Sequence, residues 1–181
     1  MLPGTLRIDT QRLILRDFVE GDLDAVCGFW CDPEVTRWTD FAAETRLEAE
    51  QWLESVIFHN RQQPRLAYNL AMVVRREDRV VGWIGIGPAA RTEPAERELS
   101  AGFCLGHEWW GQGLMTEALG ATLAFAFEGL AARRVSAQCY PANIASGRVM
   151  EKAGMRFEGQ YPMPGGDGEV RVYRRYVAAA D

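Results

Sequence analysis

The sequence lacks most of the features that mark membrane, secreted, nucleic-acid-binding or zinc proteins. It has no run of about 18 apolar residues, so no membrane span is expected. The N-terminus, MLPGTLRIDTQRLILRDF, is charged too early for a secretory signal. No basic block stands out, and the net charge of −5 comes with both signs mixed along the chain. That argues against nucleic acid as a partner while leaving room for a local basic pocket holding one phosphorylated ligand. The four cysteines, Cys27, Cys31, Cys104 and Cys139, form no CxxC pair and no Cys/His cluster with zinc spacing, so no metal is expected. Scattered cysteines in a chain of this size read as reduced thiols, with the cytoplasm as the simplest location. No repeat, low-complexity segment or linker is visible.

What remains is an ordinary globular composition, with 181 residues, 48% apolar and 25% charged. This suits one domain over residues 1–181 with a real core. TQRLILRDF alternates as a strand does. EGDLDAVCGFWCD is helical, with Leu23, Val26, Cys27 and Trp30 on one face. DPEVTRWTD reads as a loop in which Pro33 breaks the pattern. AAETRLEAEQWLESVIFHN is a second helix with Leu47, Trp52, Leu53 and Val56 as candidate core residues. LAYNLAMVVR and RVVGWIGIGPA form a hairpin around REDR, and ERELSAGFCL is the next strand. A helix to about Gly129, the strand RRVSAQCY, the short helix NIASGRVMEKAG and two strands around PGGDG complete the chain. Asn143 and Gly154 are placed to cap that short helix. The strands flanking the long helix form a βαβ unit and should be parallel, giving a mixed sheet in an α/β domain.

The most informative stretch is HEWWGQGLMTEALGATLAFAF, His107 to Phe127. A strand that ends, turns through glycines and opens a helix can hold phosphate. The first helix amides have no internal partner, the helix dipole is positive there, and glycine removes the Cβ atoms that would keep an anion away. Gly111, Gln112, Gly113, Leu114, Met115 and Thr116 would present those amides, while Leu119, Leu123 and Phe127 anchor the helix on the sheet. Glycines are also common in plain turns, so this stretch alone does not decide. GIGPAA, Gly85 to Ala90, matches a dinucleotide fingerprint, but Pro88 and the polar RTEPAERE follow where a helix should open. Those glycines are expected to ease a strand bend. GQGLMT also lacks the GK(S/T) of a P-loop.

Four segments in order, TQRLILRDFVEGDLDAV, RVVGWIGI, CLGHEWWGQGLMTEAL and YPANIASGRVMEKAGMRFEG, resemble the GCN5-related N-acetyltransferases (GNAT). The branch most resembled includes the bacterial ribosomal-protein N-terminal acetyltransferases, and the resemblance covers nearly the whole chain. It implies one domain with a mixed, mostly antiparallel sheet of six to seven strands, a splayed parallel pair at the centre and about four helices. Acetyl-CoA is the implied co-substrate and an amine the acceptor. The family's (Q/R)xxGx(G/A) loop falls on Trp110, Gly111, Gln112, Gly113, Leu114 and Met115. Met at the last position departs from the pattern, and its side chain must either crowd the pyrophosphate or turn into the core. The resemblance further implies that Phe103, Cys104 and Leu105 pair through their backbone with the pantetheine arm, that the amide near Leu105 polarises the thioester carbonyl, and that Asn143 contacts the cofactor.

Many family members carry a tyrosine acid seven residues after the asparagine, and here that position is Met150. By resemblance, Ser146 is the candidate to hydrogen-bond the sulfur; it equally fits an ordinary residue in a helix's first turn. No base is obvious. Glu98, Glu48 and Glu50 suit solvated carboxylates better, and His107 suits a surface turn. A protein α-amine, with a pKa of about 7.7–8.0, needs far less help than a lysine near 10.4, which leans toward an amine of low pKa. Arg148 and Lys152 suit either cofactor phosphates or a solvated face. Trp30, Trp38 and Tyr68 are candidates for the acceptor side, Trp38 foremost. A non-catalytic acyl-CoA sensor on the same fold stays open, as does the acceptor: a ribosomal-protein N-terminus, an antibiotic, an amino acid or a polyamine. Oligomeric state is open too. The final hairpin offers edge strands for a homodimer, which relatives often form.

Overall fold

The computed structural model describes residues 6–39, 45–89, 97–163 and 168–176. The loops RTEPAERE and PGGDG, and the residues just before Thr45, lie wholly or largely outside that set. One mixed sheet holds eight strands in chain order, except that the last two exchange places. They are β1 (Arg7–Asp9), β2 (Leu13–Asp17), β3 (Tyr68–Val74), β4 (Arg79–Pro88), β5 (Glu98–Leu105), β6 (Arg134–Cys139), β7 (Arg156–Pro162) and β8 (Glu169–Tyr176). The helices are α1 (Leu23–Trp30), α2 (Pro33–Thr36), α3 (Arg46–Asn60), α4 (Leu114–Ala124) and α5 (Ile144–Lys152).

Every pairing is antiparallel except β5 with β6, which are parallel as the βαβ unit requires. The eight strands exceed the expected six to seven because β1, only three residues long, was too short to show a period. The fifth helix is α2. Pro33 does not only end a pattern; it stands at the start of a turn whose cap, Asp32, accepts from the Glu34 amide at 2.9 Å. Proline fits there because its missing N–H has no helical partner to lose.

Both sheet faces are covered. On β3, Leu70, Met72 and Val74 face the core under α4 and α5, while Ala71 and Val73 face the core under α1 and α3. This is the strand's period of two with both sides buried. A bulge interrupts it on β4: Gly82 pairs with Met72 but Val80 with Val73, leaving Val81 as the extra residue. Val80 and Trp83, three apart, therefore share a face. Gly85 sits against the Trp83 ring. A Cβ there would lie 2.6 Å from the Trp83 ring, and one at Gly102 would lie 3.0 Å from it, so these glycines make room for the indole.

On α1, Val26 and Trp30 are buried as expected, whereas Leu23 and Cys27 are only partly so. On α3, Leu53 and Val56 are buried and Trp52 partly so, but Leu47 is 62% exposed. Leu47 lies in the first turn, beside the Thr45–Glu48 capping box that starts the helix. α4 continues through a wider π turn, Phe125–Gly129, so its helical path ends where the sequence indicates. Among the described residues no helix is long and apolar enough to cross a membrane.

Candidate functional site

The central feature of the site is the way β5 and β6 part company. Among the described residues their ladder runs through Glu98–Arg134, Leu99–Val135 and Ser100–Ser136. Beyond Ser100 the two strands keep their outer neighbours, β4 and β8, but not each other. Residues of an antiparallel strand alternate in the side toward which they turn both N–H and C=O. The Gly106 amide donates to Val81 on β4 at 2.9 Å. Leu105 and Phe103 must therefore turn their backbone groups the other way, into the gap. There the Leu105 carbonyl accepts from Trp110 Nε1 at 2.7 Å, which ties the loop tryptophan to the strand end.

A cavity of about 510 Å³ fills this gap. Ala101 to Leu105 form one wall, Gln138, Cys139 and α5 the other, and the start of α4 closes one end. Gly111 and Gly113 have φ of +75° and +76°, in the left-handed region that favours glycine. A Cβ on Gly111 would meet no protein atom within 4 Å, so the space above it is open. Gly113 is the N-cap of α4, and no side chain caps that end. The amides of Leu114, Met115 and Thr116 thus face the cavity without helical partners. The Met115 side chain is buried in the core, the second of the two outcomes its departure from the loop pattern allows, and the residue also lines the cavity. Gln112 is not among the lining residues, and its carbonyl accepts from Arg12 Nη1 at 2.9 Å.

What fixes this helix is invisible in its own segment. Glu117, in its first turn, accepts from the Thr10 hydroxyl at 2.6 Å, from the Arg12 amide at 2.7 Å and from Arg12 Nε at 2.7 Å. Burial raises the Glu117 pKa, but the hydrogen bonds from Thr10 and Arg12 outweigh it and hold the carboxyl below its usual range. The partners lie more than a hundred residues apart in the chain, so no local pattern could announce them.

On the opposite wall, Asn143 caps α5 by accepting from the Ser146 amide at 3.0 Å, and both residues line the cavity. Gly154, at φ +85°, closes the other end of the helix. Ser146 also lies beside the Cys139 thiol, a neighbour the sequence did not suggest. Burial pushes that thiol up despite the contact with Ser146, so it stays protonated at neutral pH. Met150 is fully buried in the core.

The other candidates sort by position. Trp38, with Val35, Arg37 and Thr39, lines the cavity from α2 and the turn after it. Arg37 lies over the Trp38 ring at 5.0 Å. Trp30 is in the α1–α3 core against Trp52 and Trp83, and Tyr68 packs on Phe125, so neither lines the cavity. Glu98 is no solvated carboxylate: it is buried at the closed end of the β5–β6 pair, held by Arg134 and Arg174. Glu48 belongs to the α3 capping box, and Glu50 is exposed. His107 is exposed in the turn before the glycines, edge-on to Trp110 at 4.7 Å. Arg148 and Lys152 are exposed at the cavity rim. Among the described residues no group of three or more His, Cys, Asp or Glu could hold a metal.

A sheet opened between a parallel pair, beside an uncapped helix start, is the arrangement that the resemblance to the GNAT acetyltransferases implies. The family comparison agrees: residues 12–156 match the acetyltransferase (GNAT) domain, and the chain belongs to that family. It is 27% identical over 150 residues to the uncharacterized N-acetyltransferase p20 of Bacillus licheniformis, covering 83% of this chain and 82% of that protein. It is 29% identical over 154 residues to the uncharacterized N-acetyltransferase YnaD of Bacillus subtilis, covering 85% of each. Among solved structures, a GNAT-family acetyltransferase from Bacillus anthracis superposes with a TM-score of 0.81 at 25% identity, over 94% of this chain and 98% of that one. The ribosomal-protein-S5-alanine acetyltransferase of Vibrio fischeri shares the fold, with a TM-score of 0.79 at 17% identity over 96% and 98% of the two chains. The ribosomal L7/L12 α-N-protein acetyltransferase RimL, solved with coenzyme A in disulfide linkage to a cysteine, shares it as well, with a TM-score of 0.75 at 19% identity over 97% and 100%. The protein is an acetyltransferase.

Proposed function

We propose that this enzyme moves the acetyl group of acetyl-CoA directly to a primary amine, both substrates being bound at once. The observation that carries this is the unpaired β5 edge at Phe103 and Leu105, facing a cavity that ends at the uncapped start of α4. An extended amide-bearing arm fits the edge as an added strand would. A pyrophosphate fits the glycine turn and the amides of Leu114, Met115 and Thr116, and Asn143 contributes from the start of α5. Acetyl-CoA supplies an activated thioester.

The residues then divide the work. The Leu105 amide, with its own carbonyl held by Trp110, is placed to donate to the thioester oxygen as negative charge grows there. Ser146 has its amide committed to Asn143, and its hydroxyl lies beside the Cys139 thiol. Its O–H can turn from that sulfur to donate to the departing one. Arg37, Trp38 and Thr39 form the acceptor wall. The lining among the described residues includes arginine and lysine but no carboxylate or histidine. The acceptor we favour is therefore an amine that is partly neutral on its own, above all a protein N-terminal α-amine with a pKa of about 7.7–8.0.

A thiol-release assay with acetyl-CoA and pools of N-terminal peptides, amino acids, polyamines and amino sugars tests this. We expect release with the peptide pool. Ser146→Ala should lower kcat by about 10²-fold, in the range of general acid catalysis, with acetyl-CoA binding kept. Undiminished kcat in that variant would assign the proton to water. Release with polyamines alone would overturn the α-amine assignment.

A further inference from the structure

Two thiols outside the cleft meet at the end of α1. Cys27 and Cys31 are four residues apart, on one face of the helix, and burial first, then the neighbouring Cys27, pushes the Cys31 thiol up. Both are partly exposed. Arg46, at the start of α3, directs Nη1 toward Cys27 Sγ at 3.9 Å while its other nitrogen holds Asp24 at 2.7 Å. Cys27 sulfur is thus met by a guanidinium, with Cys31 one helical turn away. Helix geometry separates Cα atoms four residues apart by about 6 Å, inside the range of about 4.4–6.8 Å that a disulfide spans, while the Cβ atoms, about 5–6 Å apart, must close to about 3.5–4.5 Å. Cys31 is the C-cap, with φ −100° and ψ 4°, so it can rotate without disturbing the helix interior.

We propose that Cys27 and Cys31 are a redox-active dithiol that reacts with small-molecule disulfides and thereby adjusts the acceptor wall of the cleft. The Cys27 thiolate attacks a disulfide RS–SR, forming Cys27–S–SR and releasing one RS⁻. Cys31 then attacks the Cys27 sulfur, forming the Cys27–Cys31 bond and releasing the second RS⁻. The two thiol protons end on the two RSH products, so the protein pair is oxidised and the small disulfide reduced. The bridge fixes Cys31, and the next residue, Asp32, is the cap of α2. α2 and the turn after it bring Val35, Arg37, Trp38 and Thr39 to the cavity, so the constraint reaches the acceptor side directly.

The test treats the full chain with oxidised glutathione and locates the products by peptide mass spectrometry. In the wild type we expect a Cys27–Cys31 bridge, seen as loss of two hydrogens from one peptide. In Cys31→Ser a glutathione adduct should accumulate on Cys27, at least about tenfold faster than on Cys104 or Cys139, both buried. Burial pushes the Cys104 thiol up to about 12, which makes it an internal control. Oxidation should change the KM for the amine severalfold, reversed by dithiothreitol and absent in Cys27→Ser. Adducts that stay on Cys27 in the wild type, or that form first on Cys104 or Cys139, would overturn the dithiol. A bridge that forms and leaves KM unchanged would overturn its link to the cleft.

Discussion

Gly113 and Glu117 stand one helical turn apart at the start of α4, and each carries a different constraint. Gly113 holds φ +76°, where a side chain costs about 1–2 kcal/mol. Gly113→Ala should lower stability in urea by about that amount and weaken acetyl-CoA binding measured by calorimetry. Glu117 carries charge. Its folded carboxyl titrates below an ordinary glutamate because the Thr10 and Arg12 hydrogen bonds outweigh the effect of burial. A depressed folded pKa gives stability that is whole above the unfolded value, about 4.3, and is lost as pH falls through the lower folded one. The stability gap between wild type and Glu117→Gln should therefore be widest near neutral pH and shrink below about pH 4. A gap that is flat across that range in urea titrations would remove Glu117 as the linked group.

At the scale of elements, α4 is clamped from outside. Arg12 reaches both the Gln112 carbonyl and Glu117, so the segment joining β1 and β2 sets the position of the glycine turn. Arg12 is 46% exposed, and its loss should cost less than about 1 kcal/mol of stability. Binding of acetyl-CoA by Arg12→Ala should nevertheless weaken severalfold, because the loop loses its tether. The sequence made most elements visible wherever a period of two or of 3.6 ran long enough, as in β3, β4 and α4. It also placed the glycine turn, the Asn143 cap and the parallel pair. It missed β1 and α2 because three- and four-residue elements show no period, and it read Pro33 only as a breaker. The Arg12–Glu117 clamp, the Ser146–Cys139 contact and the Trp110–Leu105 tie were illegible because tertiary folding alone creates them. The direction of the Met115 side chain was illegible for a simpler reason: a residue at a helix start can face either way until the sheet beneath it is known.

For the molecule as a whole, the sheet separates two cores of unequal duty. Leu119 is fully buried between α4 and the sheet, and Leu119→Ala should cost about 2–5 kcal/mol, read as a lower urea midpoint. The α1–α3 side carries the aromatic cluster of Phe18, Trp30, Trp52 and Trp83. Across the strands, the sheet is two plates: β1 to β5, and β6 with β8 and β7. Among the described residues the strand ladder joins them at three residue pairs, and Glu98 adds ion pairs to Arg134 and Arg174 across the same seam. A ligand in the open part would act as a spline between the plates. Amide hydrogens of Phe103 and Leu105 should exchange with deuterium quickly in the free protein and slow markedly with coenzyme A present. At a hundredfold excess over Kd the ligand would add about 2.7 kcal/mol to global stability. Slowing confined to the α4 amides would mean that phosphate is gripped and no spline forms.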